Sequence, residues 1–283
     1  MSNFLSELLY HPILMEALHE DIRSGDITTH ALIPEGTTAR ALMNFREDGV
    51  AAGLKIAATV FEELDCLADI ETLVDDGTFV KAGTGVLRIE GEARAVLTGE
   101  RVALNFVQLL SGIATLTHHF VEAVKGTKAQ IVDTRKTTPG LRLLEKHAVR
   151  CGGGCNHRFG LDDLILIKDN HIALCGDIET AMKRARIHSG HAVKIEIECD
   201  TLEQVQQAVA ARADIILLDN MTPEELKRGV EMINGRAIVE ASGGVTLESV
   251  RAIAESGVDI ISVGALTHSA HALDIGLDIE IDS

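Results

Sequence analysis

Tryptophan is absent from this 283-residue chain and tyrosine occurs once. Base-stacking recognition of nucleic acid, which leans on aromatic platforms, therefore has little to work with. Long apolar runs are also missing. No stretch of about 18 apolar residues occurs, and no basic n-region precedes an apolar core, so neither a membrane span nor a secretory signal is expected. Cysteine is sparse and odd in number: Cys66, Cys151, Cys155, Cys175 and Cys199 suit reduced thiols in a cytosolic protein better than a disulfide framework. Positive charge is the last scarcity, with 26 Lys+Arg against 43 Asp+Glu and a net charge of −17. Such a surface repels nucleic acid.

What is present is a local exception to that charge. Residues 133–171, DTRKTTPGLRLLEKHAVRCGGGCNHRFGLDDLILIKDNH, hold seven Lys+Arg and five Asp+Glu. The segment is thus at +2 while the remainder is at −19. A cationic patch inside an acidic chain suits a small polyanionic ligand.

The apolar fraction of 46% is ample for a core, and the chain length suits one α/β barrel with an appended domain. Residues 1–97 pair a helical opening (5–18) with short strand-like runs, ARALMNFRED, FVKAGTGVLRIEG and EARAVL, as in an α+β domain. Beyond residue 98 the pattern alternates. Apolar strands at 130–134, 164–168, 193–198, 214–219, 237–242 and 259–264 are separated by helical stretches such as TLEQVQQAVAAR and TPEELKRGVEMI. Steps of 21, 23 and 22 residues link Glu198, Asp219, Ser242 and Gly264, the spacing of βα units in a parallel sheet.

The carboxyl ends of these strands carry Arg135 and Lys136, Lys168, Glu198, Asp219, Ser242-Gly243-Gly244 and Gly264. In α/β barrels that rim is the active-site mouth, and glycine loops on the last strands commonly hold phosphate. Arg101 joins the set through a long helix expected over 98–124: with Thr98 as N-cap it stands in the first turn, where a cation opposes the helix dipole, so it either meets an anion or stands solvated beside Glu100. Guanidinium forks match carboxylates, and two acids suit a divalent metal or a developing positive charge. Phosphoribosyl transfer from a Mg²⁺-bound pyrophosphate donor is one chemistry that uses all of these parts.

The segments GERVALNFVQ (99–108), DTRKTTPGLRLLEKHAVRCGGGCNHRFGL (133–161), IKDNH (167–171), IEIE (195–198), LLDNM (217–221), SGGV (242–245) and VGALTHS (263–269) resemble the quinolinate phosphoribosyltransferases, as does GDITT (25–29). The resemblance covers nearly the whole chain. It implies an N-terminal α/β sandwich over residues 1–110, joined by the tail 272–283, and an incomplete, open α/β barrel over 111–271. It also implies a homodimer or larger assembly in which Arg101 reaches the neighbouring subunit's site. Arg135, His157, Arg158 and Lys168 then match quinolinate-binding positions. Lys136, Glu198, Asp219, Ser242, Gly243, Gly244, Val263, Gly264 and Ala265 match those for phosphoribosyl pyrophosphate (PRPP) and its Mg²⁺. Lys136, Lys168, Glu198 and Asp219 are the catalytic candidates, and the expected product is nicotinate mononucleotide, made with loss of CO₂ on the route to NAD.

Other readings stand beside these. Lys168 at a strand end suits a Schiff-base lyase, and a related phosphoribosyltransferase acting on another acid, such as the molybdenum-transport-associated homologues, shares parts of the motif set. Cys151, Cys155 and His157 form a C-x₃-C-x-H pattern, but no second pair follows at finger-like spacing, so Cys151 and Cys155 read as ordinary small residues beside a glycine run. Glu196 shares a strand face with Glu198 and, with Lys194, suits an internal charge network. His268 follows the last strand near the rim. Arg142, Lys146 and Arg150, on the intervening helix, read as a solvated face or as part of the rim.

Overall fold

The computed structural model describes residues 5–280. The chain divides into two compact units, the first comprising the described residues through 118 together with 137–153 and those from 269 onward. Its elements are α1 (Glu7–Ile22), α2 (Ile27–Leu32), β1 (Thr38–Phe45), β2 (Gly49–Val50), α3 (Leu54–Leu64), β3 (Asp69–Thr72), β4 (Phe79–Val80), β5 (Gly85–Glu92), most of α4 (Ala93–Ala123), α5 (Arg142–Cys151) and, as numbered below, β12 (Ile275–Glu280). β1, β3, β5 and β12 form an antiparallel sheet in the order β12-β1-β5-β3. Alternation along β1 puts Ala41, Met43 and Phe45 at 0% exposure on one face, the period-2 pattern of a sheet covered on one side. α3 packs on β3 and β5, completing an α/β sandwich. Residues 281–283 of the expected tail lie outside the described residues.

The second unit is the open barrel. After β6 (Gln130–Val132) come β7 (Ile165–Ile167), α6 (Asp169–Cys175), α7 (Ile178–His188), β8 (Ile195–Cys199), α8 (Leu202–Ala210), β9 (Ile215–Asp219), α9 (Pro223–Ile233), β10 (Ile238–Ser242), α10 (Val250–Glu255), β11 (Ile260–Ser262) and α11 (Ala265–His268). The strands pair in parallel in the order β6-β11-β10-β9-β8-β7. β6 and β7 are the sheet's two edges, so the barrel is incomplete. Ile197, Ile216, Leu218 and Ile261 are fully buried, as strands covered on both faces require. The turns after β8 and β9 are set by capping boxes: Thr201 with Gln204 opens α8, and Thr222 with Glu225, followed by Pro223, opens α9. Each cap leaves the preceding strand's last acid, Glu198 or Asp219, at the rim. No helix among the described residues is long and apolar enough to cross a membrane.

Several expectations change here. EARAVL is not a strand: β5 ends at Glu92 and α4 begins at Ala93, consistent with the strong helix formers Ala, Arg and Leu in that run. Thr98 therefore lies inside α4, its hydroxyl donating to Asp26 3.2 Å away. Arg101 is an exposed residue well past the first turn, so the dipole argument for it lapses. On α5, Lys146 is 3% exposed and Glu145 0%; the helix does not present them as a solvated face. Glu145 accepts from the Thr138 backbone N–H, which draws it inward.

Candidate active site

A cavity of about 710 Å³ opens at the carboxyl ends of the barrel strands. Arg135, Lys136, His157, Arg158, Lys168, Glu198, Asp219, Ser242, Gly243, Gly244, Gly264 and Ala265 all line it. Val263 does not reach it and is buried at 1% exposure in the strand-end packing. Arg101, in the first unit, is not among the lining residues.

The cations enter from three short segments. Beyond β6, the Lys136 N–H donates to the Thr134 hydroxyl at 3.0 Å, and the Thr267 hydroxyl donates to the Lys136 carbonyl at 2.7 Å. The 154–158 loop is tied down by Asp133, which is fully buried and accepts from the His157 N–H at 2.8 Å and the Asn156 side-chain amide at 2.6 Å. Arg158 donates to the Leu164 carbonyl at 3.0 Å. Burial, then the neighbouring Arg135 charge, lowers its pKa, though a guanidinium stays protonated. Two guanidinium groups held this near each other repel unless an anion joins them.

Lys168 follows β7 as the N-cap of α6, and its ammonium lies 2.8 Å from the Glu198 carboxylate near the end of β8. Across the site Asp219 ends β9 and accepts from Asn220 at 2.5 Å. Carboxylate oxygens of Glu198, Asp200 and Asp219 lie within 4.8 Å of one another, an all-oxygen donor set of the kind a hard divalent cation prefers.

The phosphate-type loops follow β10 and β11. Gly243 has φ +98°, and a Cβ there would sit 2.2 Å from Asn220 Oδ1 and 2.8 Å from the Asn220 backbone nitrogen. Only glycine lets the β9 and β10 rim loops approach this closely. A Cβ on Gly264 would come 3.2 Å from both the Lys136 side chain and His268 Nε2, so the β11 loop is fitted around that lysine.

The chain was compared with known proteins. The family model for the N-terminal domain of quinolinate phosphoribosyl transferase matches residues 26–111, and that for its C-terminal domain matches 113–278. The nicotinate-nucleotide pyrophosphorylase [carboxylating] of Mycobacterium leprae is 46% identical over 272 residues, covering 94% of this chain and 95% of that one. A probable enzyme of the same name from Bacillus subtilis is 44% identical over 281 residues, covering 99% and 94%. The crystal structure of NadC from Streptococcus pyogenes superposes with a TM-score of 0.95 at 40% identity, covering 99% and 100%. The chain belongs to the quinolinate phosphoribosyltransferase family.

Within this phosphoribosyltransferase the sequence passed over several lining residues, among them Thr134, Glu240, Thr246 and Ser262. Glu240 sits mid-strand in an otherwise apolar VEA run, where only the inward face of β10 gives it meaning. His268 does line the cavity. Glu196 is fully buried, and its carboxylate lies 3.2 Å from His157 Nε2, while that of Glu240 lies 3.4 Å from the same nitrogen. Lys194 is exposed just before β8 and takes no place inside. Burial works against a charged His157, while the two carboxylates favour a proton on Nε2 and so raise the ring's pKa. Burial likewise raises that of Glu196. Cys151, Cys155 and His157 do not assemble; Cys151 instead faces His147, whose Nε2 is 3.4 Å from the sulfur and 3.1 Å from Asp76.

Proposed function

We propose a division of labour within the cavity for the reaction this enzyme performs, phosphoribosyl transfer from PRPP to quinolinate with decarboxylation, yielding nicotinate mononucleotide, pyrophosphate and CO₂ in NAD biosynthesis. The observation carrying it is the convergence of four cations, two rim acids and two glycine loops on one cavity. Arg135, Arg158 and Lys168, with His157 beside them, face the pyridine dicarboxylate, whose two carboxylates match guanidinium forks and an ammonium. Lys136 and the loops at Ser242–Gly244 and Gly264–Ala265 face the phosphates of PRPP, the glycine backbone giving close approach. Glu198 and Asp219 lie where the ribose joins the two, and they offset the positive charge that grows on the sugar as pyrophosphate leaves.

The carboxylates fit a divalent cation. Glu198 and Asp219 would hold Mg²⁺, directly or through water, and the ion would supply charge neutralisation for the departing pyrophosphate. Attack by the pyridine nitrogen makes the ring cationic, and that cation stabilises the carbanion left when the adjacent carboxylate departs as CO₂. The residues' task is therefore orientation and charge complementarity. A Schiff-base role for Lys168 gains nothing from its surroundings: its side chain is ion-paired with Glu198 at 2.8 Å, not set in an apolar pocket of the kind that activates a nucleophilic amine.

The oligomer belongs to the same proposal. Arg101 is exposed and outside the lining set, which suits delivery into the site of a second copy. A cytosolic setting is supported by five cysteines, all unpaired. The direct test supplies quinolinate, PRPP and Mg²⁺ and measures pyrophosphate, CO₂ and nicotinate mononucleotide; absence of turnover with quinolinate would sink the assignment. For the shared site, inactive Arg101→Ala and Lys136→Ala chains are mixed after proven subunit exchange. Partial recovery is expected, and none would count against sharing.

A further inference from the structure

β8 and β10 flank β9, and each sends a glutamate to the same place beneath the cavity. Glu196 pairs in register with Ile215, and Glu240 with Leu217. Their exposures are 0% and 1%. Among the described residues, no hydrogen-bond partner satisfies any of their four carboxylate oxygens; the His157 Nε2 lies 3.2 and 3.4 Å from them, and the Arg158 charge also acts on Glu196. Two buried carboxylates set against one imidazole cost stability compared with apolar side chains of similar volume. They also place negative charge below a cavity read as the seat of a dicarboxylate. A feature unfavourable on both counts points to a task.

The geometry of the ring shows what that task is. Its backbone is pinned by Asp133. On one side Nδ1 accepts from the Arg158 N–H at 2.8 Å, so the ring's proton belongs on Nε2, facing the glutamates. An ionised carboxylate is an acceptor only, so two of them facing Nε2 disfavour the tautomer that leaves this nitrogen bare. With both nitrogens engaged inside the protein, His157 meets the cavity as an oriented wall, and direct hydrogen bonds to a dicarboxylate fall to Arg135, Arg158 and Lys168. The amide that fixes Nδ1 is Arg158's own, so ring orientation and the path of the Arg158 side chain are set together.

We infer that Glu196 and Glu240 are positioning residues for the dicarboxylate: they keep a proton on His157 Nε2 and lock the ring, and thereby hold Arg158 where it grips the substrate. This rests on the quinolinate assignment above. It makes a prediction opposite in sign to simple charge removal. Taking negative charge from beneath the site would, by Coulomb attraction alone, tighten binding of a dianion. Under positioning, it loosens binding, because a glutamine amide can donate as well as accept and no longer dictates which ring nitrogen is protonated.

The test uses the full-length enzyme. Calorimetric titration of the Glu196→Gln, Glu240→Gln double variant with quinolinate should give a Kd raised about tenfold, on the order of one bidentate contact misplaced, with PRPP affinity unchanged within about twofold. Quinolinate binding that is unchanged or tighter overturns the inference, as does an equal loss for both ligands, which marks general damage. In a His157→Ala background the same double substitution should add no further loss; an undiminished effect there means the glutamates act by another route. Nitrogen-15 NMR of the histidine-labelled wild-type enzyme needs no variant to fold. It should show His157 Nε2 protonated at neutral pH, and a bare Nε2 overturns the proposal. Failure of wild-type enzyme to bind quinolinate would instead defeat the functional reading, so the two failures are distinct.

Discussion

Glu196 and Glu198 leave the same face of β8 two residues apart, yet they live in different electrostatic worlds. Glu198, at the strand end, is 14% exposed and pairs with Lys168, itself 47% exposed. Glu196, one step deeper, is fully buried against His157 and Glu240. At the rim, a carboxylate and an ammonium are solvated, reorganise cheaply and remain available to ligands. In the interior the same group is expensive, set against one ring, and unable to move. Depth along a single strand thus separates groups that can touch substrate from groups that can only aim them.

The first way to break this comparison is at the rim. Lys168→Ala removes an anion-facing ammonium and leaves Glu198 without its partner, so kcat/KM for quinolinate should fall by roughly 10²–10³, the scale of one lost electrostatic contact in a preorganised site. Steady-state kinetics at saturating PRPP check this. A loss no larger than that of the Glu196, Glu240 double variant would mean that rim and interior do not differ in kind.

How much of this contrast was visible beforehand follows from what periodicity can and cannot report. Six strands and the helices between them emerged from apolar runs and their spacing, because a parallel sheet buried on both faces leaves little freedom in sequence. The rim residues emerged with them, since a strand's last residue is defined by where its run stops. Helix α4 was mis-started because β5 passes into it without a turn signal: Glu92 ends the strand and Ala93 opens the helix. Glu240 stayed invisible since one acid in an apolar run looks the same whether it faces solvent or a buried histidine. The Asp76, His147 and Cys151 contact joins residues more than 70 positions apart, and only the i,i+4 pair His147 and Cys151 could have been seen on a helical wheel.

A second perturbation acts on the opposite wall. Gly243→Ala places a methyl 2.2 Å from Asn220 Oδ1 at a left-handed φ of +98°, so the β10 loop must shift or Asn220 must release Asp219. The expected cost is about 1–3 kcal/mol in stability from backbone strain, with a raised KM for PRPP and a smaller change for quinolinate. Thermal melts and PRPP titration check it. Gly244 offers a sharper control: a Cβ there meets nothing within 4 Å, so Gly244→Ala should show conformational strain without the Asn220 collision and a smaller defect.

The smallest effect is expected in the first unit, where a similar-looking cluster should prove structural. Asp76 accepts from the Gly53 and Leu54 N–H groups at 3.1 and 3.0 Å, capping α3, and from His147 as well. Asp76→Ala should therefore destabilise by about 1 kcal/mol, the value of a lost helix cap, leaving both Michaelis constants in place. Burial, then the Asp76 charge, pushes the Cys151 thiol up to about 12. Thiolate is thus scarce at pH 8, and Cys151 should resist an alkylating reagent that labels exposed Cys66 quickly. Removing Asp76 deletes a charge that opposes ionisation, so Cys151 labelling should quicken modestly, with burial still limiting it. Mass spectrometry of timed labelling reads both sites at once, and rapid wild-type labelling of Cys151 would show that this cluster is poised for chemistry, in the way the barrel rim is.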